Sequence, residues 1–339
     1  MLTVDGSFGE GGGQILRSSL ALALVAGAEL RITNIRARRQ KPGLMRQHLA
    51  AVRAAAAVGR AEIKGAEIGS KELHFKPTTV EPGDYAFNVG SAGSATLVFQ
   101  TILPAFLRAS KPCRITLEGG THNPMAPPFD FLDRAFLPLI RRMGAGVNAR
   151  LETRGFYPAG GGRFFATIEP TKTLHRIDLL ERGEILGRRV VATVSNLTPQ
   201  IALRELEAAQ RVLGWGRECF RPDIQKGGPG PGNVLTIDVE SEHVTEVFSA
   251  FGERGVRAET VAERAASEAK AYIEAGVPVG EHLADQLLLP MALAGGGSFK
   301  TFALSSHTTT HIELLRKLLG AKIRVEKAEE DAFVVEVGG

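Results

Sequence analysis

One order of elements, written twice in succession, constrains this chain more than any other feature. Residues 2–4, 29–35, 61–68 and 72–75 read as strands, and 15–25 and 43–58 read as helices. The order is β-α-β-α-β-β. It returns with strands at 85–89, 113–117, 147–153 and 163–168 and helices at 92–107 and 129–143. A unit that occurs twice prompts the search for a third copy. Helices at 281–293 and 312–319 and strands at 299–304, 323–327 and 333–337 provide all of it but the opening strand. The best candidate for that strand is 175–180, about a hundred residues upstream. The stretch between has its own alternation: strand 190–194, helix 199–212, strand 234–239, then helices at 244–252 and 258–275. The expected architecture is therefore α/β (α+β). Three βαβαββ units form a large domain from 1–180 and 277–339, and a smaller α/β domain, 181–276, is inserted into the third.

Composition narrows the class. Hydrophobic residues at 44% and charged residues at 23% suit a soluble globular chain with a substantial core. A net charge of +4 permits an anionic partner without demanding one. Cys113 and Cys219 are the only cysteines, which excludes a disulfide framework and a cysteine-rich zinc site. Residues 1–6 read as a strand and turn, not a signal peptide, and no apolar run reaches membrane-spanning length. A cytoplasmic protein without a membrane partner is expected.

Several stretches have the residue types that chemistry needs. Ser305 to Ile312 lies at a strand-to-helix turn, where outward N–H groups favour anionic oxygen. His307 there can attack a phosphorus or hold a phosphate; equally, the stretch is an ordinary cap cluster with a surface histidine. A zinc pair of His307 and His311 lacks the Glu that should follow the first His, since Thr308 stands there. Gly9 to Gly13 is neither a Walker A loop nor a dinucleotide fingerprint, yet a glycine loop opening a helix can cradle phosphate. Glu10 inside it would repel phosphate without a cation, so it reads either as a Mg²⁺ ligand or as a solvated turn residue.

Arg36, Arg38, Arg39, Lys41 and Arg46 crowd one loop, as phosphate contacts or as a solvated basic patch. Gly90 to Ser94 precedes a helix bearing Gln100, a polar residue on an apolar helix. Thr121 to Phe129 is a base-pocket wall or a stiff connector. Arg154 to Gly162 places Phe156 and Tyr157 beside three glycines, for stacking or for a bulged hairpin. Asp285, where the 281–293 helix turns apolar, could orient His307, hold a ribose, or simply complement the helix dipole.

Taken together, Gly9 to Gln14, Lys41-Pro42-Gly43, Gly90 to Ser94 with Gln100, Arg154 to Gly162, His282 to Gln286 and His307 with Thr310 resemble the RNA 3′-terminal phosphate cyclase family along the whole chain. The resemblance implies repeated βαβαββ units with an insert. It also implies an ATP-dependent cyclisation of an RNA 3′-phosphate to a 2′,3′-cyclic phosphate. His307 looks like the nucleophile that forms a histidine–AMP adduct. By position, Gln100, His282, Leu283, Ala284, Asp285 and Gln286 correspond to nucleotide-binding residues, and Glu10 to a ligand of Mg²⁺ or Mn²⁺. Arg36, Arg39 and Arg46 are expected at RNA phosphates. The family often has Asn where His311 stands and Tyr where His282 stands. Two other readings stay open: a non-catalytic relative serving ribosome assembly, and an enolpyruvyl-transferase-like enzyme.

Overall fold

The structure is a computed structural model, and residues 1–338 are described. The first unit comprises β1 (Leu2–Asp5), α1 (Gly13–Ala26), β2 (Leu30–Thr33), α2 (Arg46–Gly59), β3 (Glu62–Lys64) and β4 (Leu73–Lys76). The second comprises β5 (Asp84–Asn88), α3 (Ala95–Phe106), β6 (Cys113–Gly119), then α4 (Phe129–Phe131) and α5 (Leu137–Arg142) joined by a π-turn at 132–136, and β7 (Gly146–Thr153) and β8 (Gly162–Glu169). β9 (Ile177–Leu179) follows.

Next come β10 (Ile185–Ser195), α6 (Pro199–Leu213), β11 (Phe220–Gln225), β12 (Gly232–Ser241), β13 (Thr245–Phe251) and α7 (Ala258–Ala275). The chain ends with α8 (Glu281–Leu293), β14 (Gly296–Thr301), α9 (Ser306–Leu319), β15 (Lys322–Glu329) and β16 (Ala332–Gly338).

The repeat is visible in strand order. The sheets run β1-β2-β4-β3, β5-β6-β8-β7 and, read from the other edge, β9-β14-β16-β15. In each, the first two strands are parallel and the rest antiparallel. β9 opens the third sheet by pairing Ile177 with Gly297, so the strand expected at 175–180 is there. Alternation along β6 and β8 buries one face and leaves the other to solvent. The buried faces receive helices, and α1 lies at the meeting point, touching α2, α3 and α9. Its sequence, with Ile15, Leu16, Leu20, Leu22 and Leu24 all buried, is apolar nearly all round, as a helix enclosed by others must be. One continuous core runs through all three units.

β10 to β13 form a fourth sheet, β11-β10-β12-β13, covered by α6 and α7 over a separate core of Val190, Ala202, Leu235, Ile237 and Ala266 among others. Residues 244–252 are corrected here. They form a strand, β13, paired antiparallel with β12 from Val234↔Phe251 to Glu240↔Thr245. The run holds Val, Thr and Phe residues that suit a strand and is too short for periodicity to decide; the open edge of β12 decides it. β11, parallel to β10, was missed because Arg221, Pro222 and Asp223 break its apolar pattern. No helix among the described residues is long and apolar enough to cross a membrane.

Candidate active site

Residues almost three hundred positions apart meet at the ends of α1, α8 and α9. The Gly9–Gly12 loop sits on the first turn of α9, where the Glu10 N–H donates to Thr310 Oγ1 at 3.0 Å. Gly9 has φ +55°, and a Cβ there would lie 2.2 Å from Thr310 Oγ1, so only glycine permits this approach. Ser305 caps α9, its Oγ accepting from the Thr308 N–H at 3.2 Å, and this places His307 in the exposed first turn.

His307 Nδ1 lies 3.0 Å from Gln14 Oε1. The Gln14 amide nitrogen donates to Asp285 Oδ1. An amide nitrogen only donates and a carboxylate only accepts, which fixes the Gln14 orientation: its oxygen faces His307. His307 must then carry its proton on Nδ1, leaving the Nε2 lone pair free. His311 Nδ1 stands 3.0 Å from the same Asp285 Oδ1 and from the Asp285 carbonyl, and Gln286 donates to Oδ2 at 3.1 Å. Both histidines therefore spend Nδ1 on the Gln14–Asp285 pair, an arrangement unlike a metal pair. An Asn amide likewise carries an N–H that can donate to a carboxylate such as Asp285.

Glu10 lies behind the loop. Its Oε1 accepts the Gly12 N–H at 2.9 Å and its Oε2 pairs with Arg39. No group of three His, Cys, Asp or Glu side chains suited to a metal exists among the described residues. One carboxylate beside substrate phosphates is nevertheless a normal donor set for Mg²⁺, so Glu10 fits as a shared ligand and not as part of a protein cage.

Cations surround this point. Arg17, on α1 behind Gln14, has no side-chain ion pair or hydrogen bond among the described residues; burial pushes it down to about 10, against the nearby charges of Asp285 and Glu10. His48 is buried beside Gly13, and burial, then Arg17, Arg36 and Arg39, push it down to about 3. It is neutral, its Nδ1 accepts the Met45 N–H at 3.4 Å, and its Nε2–H is a donor. Arg36 is partly committed to its own loop, donating to the Lys41 and Gly43 carbonyls at 2.7 and 2.9 Å. Arg38 donates to the Gly9 carbonyl at 2.7 Å, and Arg46 is exposed at the start of α2.

Next to this cluster is a cavity of about 70 Å³ between α1, α3 and α8. Leu97, Leu289 and Pro290 line it with Gln100, Asp285 and Gln286. Both polar atoms of the Gln100 amide are buried there without a partner, as is His311 Nε2. Buried amides are rarely left so unless a ligand completes them. Of the 282–286 stretch, Asp285 and Gln286 reach the cavity. Leu283 and Ala284 point into the core, and His282 is exposed and does not line it.

The family model described as RNA 3′-terminal phosphate cyclase matches residues 8–325. This chain belongs to the RNA 3′-terminal phosphate cyclase family. It is 51% identical over 334 residues to the protein of that name from Koribacter versatilis, covering 98% of this chain and 94% of the relative. It is 48% identical to the one from Pseudomonas fluorescens, covering 99% and 97%, and 43% identical to the one from Salmonella typhimurium, covering 99% and 98%. Membership makes the chain an enzyme of that family. Among solved structures, the enolpyruvyl transferase NikO from Streptomyces tendae aligns at 13% identity with a TM-score of 0.37. The chain spans 47% of that protein's length, and a score this low carries no argument.

The structure brings His307 and Asp285, and the cavity lined by Gln100, together with Gln14, Arg17 and His48, which the sequence reading did not single out as site residues. Gln14 and His48 had a signal: each is a polar residue on a helix face that is otherwise buried. Arg17 had none, because Asp285, whose charge stands near it, comes from a distant segment.

Proposed function

We propose that this enzyme converts an RNA 3′-phosphate into a 2′,3′-cyclic phosphate, with ATP as co-substrate and release of pyrophosphate and AMP. The observation that carries this reading is His307, held on Nδ1 by Gln14 and exposing Nε2 beside a cavity whose buried amide lacks a partner. In this reading the base of ATP enters the cavity, with Gln100 and Gln286 at its polar edge and Asp285 near the ribose. Arg17, His48 and the N-terminus of α1 receive the phosphates. His307 Nε2 attacks the α-phosphorus; a P–N bond forms and the bond to pyrophosphate breaks.

The terminal phosphate of the RNA then displaces His307, giving an RNA 3′-pyrophosphate-linked adenosine. Finally the adjacent 2′-OH loses its proton, attacks the terminal phosphorus and expels AMP. Covalent catalysis divides one difficult transfer into easier ones, and the last step is intramolecular. A Mg²⁺ or Mn²⁺ ion shared by Glu10 and the ATP phosphates would offset charge on the transferring group. Arg46, exposed and without an ion pair among the described residues, and Arg36 and Arg39 are assigned to the RNA phosphate side. A cytoplasmic location belongs to the same reading. A non-catalytic ribosome-assembly role is disfavoured by the free nucleophile.

The deciding experiment compares three RNA ends. A 3′-phosphate should be cyclised with release of AMP. A 3′-phosphate on a 2′-deoxy sugar should stall as the pyrophosphate-linked adenosine. A 3′-OH should not react. Efficient AMP release from the 2′-deoxy end, with no trapped intermediate, would sink the proposed attack.

A further inference from the structure

A second cavity, of about 320 Å³, opens between the β5–β8 unit and the β10–β13 sheet. Arg134, Arg154 and Arg221 line it together with Asp130, Asp223 and Thr193. Arg134 is held by Asp130 and, at 3.0 Å, by Asp238, which also pairs with Arg189, so the carboxylates around it are already engaged. Asp130 Oδ2 accepts from His122 Nε2 at 2.8 Å and Oδ1 from Arg134 at 3.0 Å. Burial pushes the Asp130 carboxyl up, but the His122 bond and the charges of His122, Arg134 and Arg154 outweigh it and hold the group ionised. Asp223 pairs with Arg154 at 3.2 Å and accepts from Gln225. What remains is cationic. Arg154 Nε is buried with no partner, and Arg221 is exposed and has no carboxylate partner among the described residues. A guanidinium fork left open in a cavity of this size fits a phosphate group.

Packed loops link this cavity to the cluster around His48. A Cβ on Gly232 would fall 2.0 Å from the Phe156 ring, one on Gly160 2.9 Å from Ala92 Cα, and one on Gly93 2.7 Å from Gln47 Cβ. Gln47 adjoins His48 at the nucleotide cluster. Glycine-rich loops thus nest against one another from the insert to the active site. Phe156 turns inward against His122, with ring centroids 5.3 Å apart, whereas its neighbour Tyr157 is 67% exposed. Met125, on the adjoining loop, is 95% exposed. An uncovered aromatic on the loop that also holds Arg154 suits a base next to a bound phosphate. An acidic peptide would satisfy the guanidiniums and leave Tyr157 unused.

We propose that this cavity is a second phosphate site, which takes a backbone phosphodiester of single-stranded RNA upstream of the end held at His307, with Tyr157 as a stacking platform. The inference rests on the cyclase reading above.

The test uses the full chain, Arg221→Ala and Arg221→Glu, with 3′-phosphate RNAs of about two and about ten nucleotides. The Arg221 side chain makes no hydrogen bond or ion pair among the described residues, so both variants should keep the wild-type thermal midpoint. Anisotropy without ATP should show the long RNA bound about 5- to 10-fold more weakly by Arg221→Ala, and weaker again by Arg221→Glu. The short RNA should bind all three alike. The salt slope for the long RNA should fall by about 0.7 in Arg221→Ala, the contribution of one single-strand phosphate. Transfer of label from α-labelled ATP to His307 is measured in parallel and should be equal in all three. Its absence in the wild-type chain would overturn the cyclase reading itself, a result separable from the binding series.

Equal binding of the long RNA with an unchanged slope would overturn the second site. So would inorganic phosphate raising the midpoint of the wild type alone while the long RNA binds all three equally, because the cavity would then serve a free anion. Preference for an acidic peptide over the long RNA would overturn the strand assignment as well.

Discussion

A primary amide has one donating side and one accepting side, and at Gln14 both are taken. Asp285 takes the N–H and His307 gives its Nδ1 proton to the oxygen. Gln14→Leu keeps the bulk and removes the acceptor, so His307 is free to place its proton on either nitrogen. AMP loading of the protein, followed in a single turnover with α-labelled ATP, should slow about 10-fold or more, the effect of losing one hydrogen bond of about 1–2 kcal/mol. An unchanged rate would reduce Gln14 to packing. The two histidines of α9 should separate cleanly. His307→Ala abolishes the adduct, whereas His311→Asn retains it, because an Asn N–H reaches the same carboxylate. Loss of labelling in His311→Asn with labelling kept in His307→Ala would reverse the assignment.

At the scale of the element, α9 is built to present its first turn. Ser305 caps it, and Ile312, Leu314 and Leu315 bury its inner face. Its C-terminal end has Arg316 and Lys317, which suit the negative end of the helix dipole, and it stops at Gly320 in the left-handed conformation. Ser305→Ala removes the cap and should lower stability by about 1 kcal/mol in urea unfolding. It should also slow AMP loading, since the same cap sets the pitch of the turn that holds His307. If stability falls and loading does not, the turn is positioned by the Glu10–Thr310 contact alone.

Across the whole molecule, β13 and the start of α8 are joined by a buried carboxyl. Glu246, on β13, accepts the N–H of Gly280, the cap of α8, at 2.5 Å. Burial pushes its pKa up to about 8, the Gly280 and Val247 N–H groups opposing this. Glu205, inside the insert, is likewise pushed by burial to about 7. A carboxyl whose pKa is raised in the folded state binds a proton that the unfolded chain has released. The stability this provides is complete below the unfolded value near 4.5 and is lost as pH rises to about 8. Glu246→Gln should therefore flatten the decline of the urea midpoint between about pH 5 and 8. A decline as steep as in the parent would place the titration elsewhere. That 181–276 is a separate domain is part of our proposal; limited proteolysis should cut near both junctions, and cuts confined to 1–180 would count against it.

The repeat was legible because each unit writes its own hydrophobic periods locally, and a period of two or of 3.6 residues survives without tertiary context. The glycine loop and His307 were legible because unusual residues stand at element junctions, and Gln100 because it is a polar residue inside an apolar helix. The identity of 244–252 was not, since a short apolar run obeys either period and only the free edge of β12 made it a strand. The sequence alone determined three copies of one unit, a split third copy and a histidine at a helix start. Only the tertiary structure decided that Gln14 of the first unit orients His307 of the third, and that Arg154 and Arg221 share a cavity. Those relations join residues distant along the chain, and nothing in a local pattern encodes which distant partner folding brings within a hydrogen bond.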